Sequence, residues 1–180
     1  EGGLEVTAIF SRSLRRAQEI AAAHGIPHAF DSVEALARCP DVDLVSVVCP
    51  THQRRIHVET VALAGKAVLC DKPMALDASE ADAMLAACDG RVPHAMDFEL
   101  RCVPALRRAR DAIRNGALGP AILFAELTFV HTFEFFKGDD SPETPRSHWT
   151  ERATGGGAFS AVGTHYVDLV RFLLDDEIVA

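Results

Sequence analysis

Over roughly the first 90 residues the hydrophobic and polar positions alternate between strand-like and helix-like periods. Glu5–Phe10 (EVTAIF) is a short β-rich run. Leu14, Ala17, Ala21 and His24 then share one side of a helix that Ser13 can cap and Gly25 can stop. Val42–Cys49 (VDLVSVVC) is almost continuously apolar and predicts a parallel strand buried on both faces, ended by Pro50–Thr51. The spacing predicts a helix over Arg54–Ala64 stopped by Gly65, and Lys66–Cys70 (KAVLC) reads as another short buried strand. Ser79 opens a helix to Cys88, with Ser79 and Asp82 at capping-box spacing. Arg91–Phe98 is a further strand candidate. Strands separated by helices in this way predict βαβ units and a parallel sheet.

Beyond residue 100 the pattern changes. Pro104 suits the first turn of a helix ending at Gly116. Ala121–His131 (AILFAELTFVH) predicts a long strand, with Leu123, Ala125, Leu127 and Phe129 on one face. A polar loop over 132–154 follows, and Gly155–Gly157 opens an apolar helix reaching Leu174. The helix around 101–117 is expected to connect a nucleotide-binding-type domain to a second, α+β domain.

Composition narrows the class. Of the 180 residues 48% are hydrophobic, which suits a globular core and is too high for a disordered chain. Lys and Arg number 18 against 26 Asp and Glu, a net charge of −8, so the basic footprint of a nucleic-acid or anionic-membrane binder is missing. No apolar run approaches the ~18 residues of a membrane span. Residues 1–10 lack the basic-then-apolar pattern of a signal peptide. The five cysteines (Cys39, Cys49, Cys70, Cys88, Cys102) are scattered, odd in number and without CxxC spacing. That pattern fits reduced thiols in a cytosol, and no accompanying histidine spacing calls for a metal. Cys49, Cys70 and Cys102 sit beside apolar runs and are expected in the core. A cytoplasmic protein with no metal, nucleic-acid or membrane partner is the expectation. The chain starts without Met in what reads as a strand and stops soon after an apolar helix, so it reads as a piece of a longer one.

In an open parallel sheet, ligands bind at the carboxyl ends of the strands. Three such ends carry notable residues: Ser11–Arg12 after the first strand, Pro50–Thr51 after VDLVSVVC, and Asp71–Lys72–Pro73 after KAVLC. An Arg after a strand of a dinucleotide-binding fold suits a ribose 2′-phosphate, where a carboxylate would repel it. Arg12 is equally compatible with a solvated helix start. Lys72 can donate to a hydroxyl, and on residue type alone it also fits an exposed surface lysine. His165, in GGGAFSAVGTHYVD, titrates near neutrality and suits proton transfer to or from an alcohol. As a lone His in an apolar helix it also fits a satisfied core residue. Gly163 permits close approach by a cofactor or another helix. Asp71, Asp97, Glu99 and Asp168 could pair only by folding.

Three segments in order, DVDLVSVVCPTHQRRIHVETVALAGKAVLCDKP (41–73), FELRCVPALRRARDAIRNGALG (98–119) and HWTERATGGGAFSAVGTHYVD (148–168), resemble the Gfo/Idh/MocA family of NAD(P)-dependent oxidoreductases. The resemblance implies an α/β fold. Residues 1–100 would be a Rossmann-type dinucleotide-binding domain with a parallel sheet, incomplete because its first βα unit and GxGxxG loop are missing. Residues 101–180 would begin a C-terminal α+β substrate and oligomerisation domain with an open, mainly antiparallel sheet. Hydride transfer between NADP(H), with NAD(H) as the alternative, and a carbinol or carbonyl carbon of a sugar, cyclitol or related polyol is the implied reaction. Lys72 matches the lysine of the family's E-K-P motif, which contacts nicotinamide ribose and substrate, with Asp71 and Pro73 beside it in the implied cofactor site, and His165 matches the histidine used in proton transfer. Pro50 and Thr51 match the turn beside the nicotinamide, and Ser11 and Arg12 an S-R pair common in NADP members. A homo-oligomer is implied, with strand 121–131 in the sheet used.

The chain also departs from the family pattern. Asp71 replaces the usual Glu, Ala161 the Asp one turn before the histidine, and Arg54 a histidine after the Pro–polar turn. Without its glycine-rich loop the chain as given is expected to bind cofactor poorly and to be inactive alone. Two other readings follow: an NAD-dependent glycosidase of the same family, and a non-catalytic nucleotide-binding homologue, which Ala161 favours.

Overall fold

A computed structural model describes residues 3–119 and 151–178. They fall into two compact units, Glu1–Cys49 with Gln53–Met96, and Pro50–His52 with Asp97–Ala180.

The first unit alternates short strands and helices: β1 (Ala8–Phe10), α1 (Leu14–His24), β2 (His28–Phe30), α2 (Val33–Arg38), β3 (Leu44–Val47), α3 (from Thr51 to Leu63), β4 (Ala67–Asp71), α4 (Ala78–Cys88) and β5 (His94–Asp97). β1 pairs parallel with β2, Ala8 opposite His28 and Phe10 opposite Phe30. β3 and β4 are also parallel, Leu44 opposite Ala67 and Val47 opposite Cys70, and β5 follows β4 in the same sheet. This is the α/β class that the alternating pattern predicts.

Local chemistry explains the helix ends. Ser13 accepts from the Arg16 N–H, and Gly25 closes α1 at φ +67°, where a side chain would be strained. The start of α4 differs from expectation. Its cap is Asp77, which accepts from Glu80 N–H at 2.9 Å, while Glu80 Oε2 accepts from Leu76 N–H at 3.1 Å. The pair Asp77–Glu80 therefore satisfies one first-turn donor and the amide just before the cap, two residues before the expected Ser79–Asp82 pair. β3 also departs from a strand buried on both faces. Val45 and Val47 are buried, but Leu44 is 46% exposed and Val48 72%. Side chains alternate across a strand, and only one face of β3 packs on the core.

That core gathers Val45 and Val47 of β3, Val58 and Val61 of α3, Val68 and Cys70 of β4, and Met84 of α4. Met84, Val58 and Val61 are fully buried, each contributing about 1.5–3 kcal/mol. Of the cysteines expected in the core, Cys70 is buried, Cys49 is half-buried and Cys102 is exposed. Cys102 closes a 3₁₀ turn rather than a core strand.

The second unit contains that turn (Glu99–Cys102), α5 (Pro104–Arg114), a 3₁₀ turn (Arg152–Thr154), a π-helical turn (Phe159–Gly163) and α6 (Thr164–Leu174). Pro104 occupies the first turn of α5, as predicted, and α5 packs against α6. The apolar helix predicted after Gly157 begins as the wider π turn. A Cβ on Gly163 would meet the Phe159 ring at 2.6 Å. The close neighbour of Gly163 is thus a side chain of its own turn, not a second helix.

Strand 121–131 and its sheet, the loop as far as residue 150, His131 and His148 lie outside the described residues. Among the described residues, no helix is long and apolar enough to cross a membrane.

Candidate active site

Parallel pairing sets the carboxyl ends of β3 and β4 side by side, with Val47 opposite Cys70. Cys49 leaves one end; Asp71, Lys72 and Pro73 leave the other, and all four are half-buried. Arg54, on the first turn of α3, ties the two ends together. Its residue is only 3% exposed. Nη1 donates to the Pro73 carbonyl, and Nη2 donates to the Cys49 carbonyl at 2.5 Å and lies 3.4 Å from Asp71 Oδ2. A guanidinium is always charged and presents its donors in a rigid fork, so it can hold several acceptors at once where an ammonium cannot. Among the described residues its Nε has no partner. Lys72 lies between two of Arg54's acceptors, one residue after Asp71 and one before Pro73.

Burial dominates the thiols here. It raises Cys49 against the opposing influence of Arg54, and it pushes Cys70 up to about 11. Both stay protonated at neutral pH and are poor nucleophiles.

Ser11 and Arg12 follow β1. Arg12 is exposed, and among the described residues it makes no ion pair, while Arg15 and Arg16 both face Glu19. An uncommitted guanidinium beside a hydroxyl at a strand's carboxyl end fits an anionic ligand group such as a dinucleotide 2′-phosphate.

The second unit contains His165 at the start of α6, together with Pro50 and Thr51, and Thr51 is buried. His165 is 9% exposed. Its Nδ1 lies 3.5 Å from Glu99 Oε2, and the Phe98 ring meets it edge-on at 6.2 Å. One turn on, Asp168 accepts from both Arg101 Nε, at 2.7 Å, and Arg101 Nη2, at 2.5 Å. Where the family's Asp is replaced by Ala161, Glu99 presents a carboxylate to the histidine from the 3₁₀ turn. Three of the carboxylates that sequence left unplaced thus face basic side chains: Asp71 faces Arg54, Glu99 faces His165 and Asp168 faces Arg101.

His28, Cys39 and Asp41 form a separate cluster whose ligand atoms lie within 4.8 Å of one another. His28 Nε2 and Asp41 are joined at 2.8 Å, and Lys66 Nζ donates to the Cys39 carbonyl at 3.3 Å. These contacts pin β2 to the loop before β3 and already engage the imidazole and the carboxylate.

Residues 1–92 match the family described as "Oxidoreductase family, NAD-binding Rossmann fold", and residues 106–180 match "GFO/IDH/MocA C-terminal domain". The chain belongs to the GFO/IDH/MocA oxidoreductase family. It is 33% identical, over 91% of its length, to human (Homo sapiens) trans-1,2-dihydrobenzene-1,2-diol dehydrogenase, covering 46% of that protein. It is 30% identical, over 97% of its length, to D-apiose dehydrogenase of Paraburkholderia graminis, covering 44% of it. Among solved structures, aldose-aldose oxidoreductase from Caulobacter crescentus matches with TM-score 0.77 and 26% identity, over 97% of this chain and 51% of that one. The chain therefore spans about half the length of these relatives. As a GFO/IDH/MocA protein it has a nicotinamide-dinucleotide type of fold, and its named relatives act on sugars and diols.

Arg54 was visible in sequence only as a departure from the family. A signal was nevertheless there. Thr51, Arg54, Val58 and Val61 are spaced i, i+3, i+7 and i+10, one stripe of a helix, and all four are buried. A charged residue on a core stripe must find buried acceptors.

Proposed function

We propose that the full-length protein is an NAD(P)-dependent oxidoreductase that interconverts a carbinol and a carbonyl on a sugar, cyclitol or related polyol. The observation that carries this reading is the Asp71–Lys72–Pro73 turn, held by a buried Arg54 at the carboxyl end of β4. Ligands of open parallel sheets bind at such ends. The named activities of the relatives favour a polyhydroxylated substrate.

Residues 1–100 would hold the dinucleotide and 101–180 would begin the substrate domain. Ser11 and Arg12 would take a 2′-phosphate, which makes NADP the preferred cofactor. Pro50 and Thr51 would flank the nicotinamide. When bound, that nicotinamide donates or accepts the hydride. Lys72 Nζ would reach the nicotinamide ribose, and it holds and polarises the substrate oxygen. His165 takes the hydroxyl proton on its imidazole in oxidation and returns it in reduction. The Glu99 carboxylate, 3.5 Å from Nδ1, favours the charged ring so formed. Acid–base help of this kind is worth ~10²–10⁴-fold, and positioning supplies the larger remainder.

The test is a panel of aldoses, cyclitols and vicinal diols assayed with full-length protein and either cofactor. Lys72→Ala should lower kcat/KM by ~10²–10⁴-fold on any substrate turned over. Wild-type turnover by Lys72→Ala would overturn the reading.

A further inference from the structure

We infer that Arg54 is a positioning residue for Lys72: its buried guanidinium clamps the turns leaving β3 and β4 and so sets where the Lys72 backbone sits. The inference rests on the reading of Lys72 given above, and it assigns a role to a side chain that replaces a histidine in the family pattern.

Three contacts converge. One guanidinium reaches the Cys49 carbonyl, the Pro73 carbonyl and the Asp71 carboxylate. Pro73 and Asp71 flank Lys72 in sequence, so the lysine's main chain is held on both sides. Cys49 belongs to the neighbouring strand end, so the clamp also sets the spacing between the two ends. Pro73 has no N–H with which to anchor the turn, and Lys66, the nearest other cation in sequence, donates instead to the Cys39 carbonyl. At 3% exposure Arg54 cannot turn its charge to water without opening the core that α3 enters through Val58 and Val61. A lysine in its place would keep the charge but offer a single point, not a fork spanning two carbonyls.

Two measurements test this. The first needs no ligand. Hydrogen exchange of the full-length protein, read by mass spectrometry, compares wild type with Arg54→Met. Exchange across residues 72–76 should quicken about tenfold or more as the local opening energy falls, with β3 and β4 themselves unchanged. Unchanged exchange over 72–76 would overturn the inference. The second is a double-mutant cycle of Arg54→Met and Lys72→Ala on NADPH dissociation constants, read by cofactor fluorescence. If Arg54 acts through Lys72, each single change weakens binding about tenfold and the pair no more than either alone. Losses that multiply in the double variant would overturn it, since a general structural role is additive. Should Arg54→Met fail to fold, Arg54→Lys replaces it in both measurements, with the same loosening expected from the lost fork. If Lys72→Ala alone leaves both NADPH affinity and turnover untouched, the reading of Lys72 fails, whereas the exchange result still reports on the clamp.

Discussion

Arg101→Ala should destabilise the second unit more than Asp168→Asn, although Arg101 is the more exposed partner. The Asp168 side chain is 4% exposed and the Arg101 side chain 46%. Arg101 donates from Nε at 2.7 Å and from Nη2 at 2.5 Å, satisfying both carboxylate oxygens. Its guanidinium also lies 5.7 Å from the centre of the Phe172 ring. Removing the arginine leaves a buried carboxylate without its cation, which in a fully buried pair costs about 3–5 kcal/mol. Half of this arginine is in water already, which reduces the expected loss to about 2–4 kcal/mol. Asp168→Asn removes the charge but keeps an acceptor, and the half-exposed guanidinium can turn to solvent, so about 1–2 kcal/mol is expected. The double variant should be more stable than Arg101→Ala alone, because no buried charge is left. The assay is urea unfolding followed by circular dichroism. An Arg101→Ala loss below about 1 kcal/mol, or one smaller than that of Asp168→Asn, would refute the burial argument.

Three further outcomes follow from the geometry. Asp77→Ala should cost about 1 kcal/mol in thermal or urea unfolding, while Ser79→Ala stays within about 0.5 kcal/mol. Burial holds the His57 imidazole below its ordinary value of 6.5, with Glu34 opposing; the unfolded chain then binds more protons near roughly pH 6, so stability should rise with pH there and be fully present above 6.5, and His57→Gln should flatten that slope. In thiol labelling at neutral pH, exposed Cys102 should react first, whereas Cys70, buried and pushed up to about 11, should react only on unfolding.

The parts of the fold that were legible in sequence have local causes. Ser13 and Gly25 bracket α1 because a hydroxyl must serve the first-turn amides and a left-handed residue must end the helix. β2 and α2 escaped notice because three and six residues are too few to establish a period, although Ser32 caps α2 through the Ala35 N–H at 3.0 Å. Two acidic residues earlier in the chain, Asp77 and Glu80, won the α4 start from Ser79 and Asp82. At the candidate site, Lys72 and Pro73 stand out in sequence because they follow a strand end in a tight turn, the place where ligands of open sheets gather. What Arg54 does was not legible, because its acceptors, Cys49 and Pro73, lie 5 and 19 residues away and meet only when β3 and β4 pair in register. Glu99 beside His165 is likewise a product of folding across 66 positions, and no local pattern announces it.

The proposed function requires the full-length protein to hold a nicotinamide dinucleotide and to read its 2′-phosphate with Arg12. Fluorescence titration of the full-length protein with NADPH and then NADH tests it most directly. Saturable binding that favours NADPH is expected, with loss of that preference in Arg12→Ala. Failure to bind either dinucleotide would contradict it, and the roles proposed for Lys72 and His165 would fall with it.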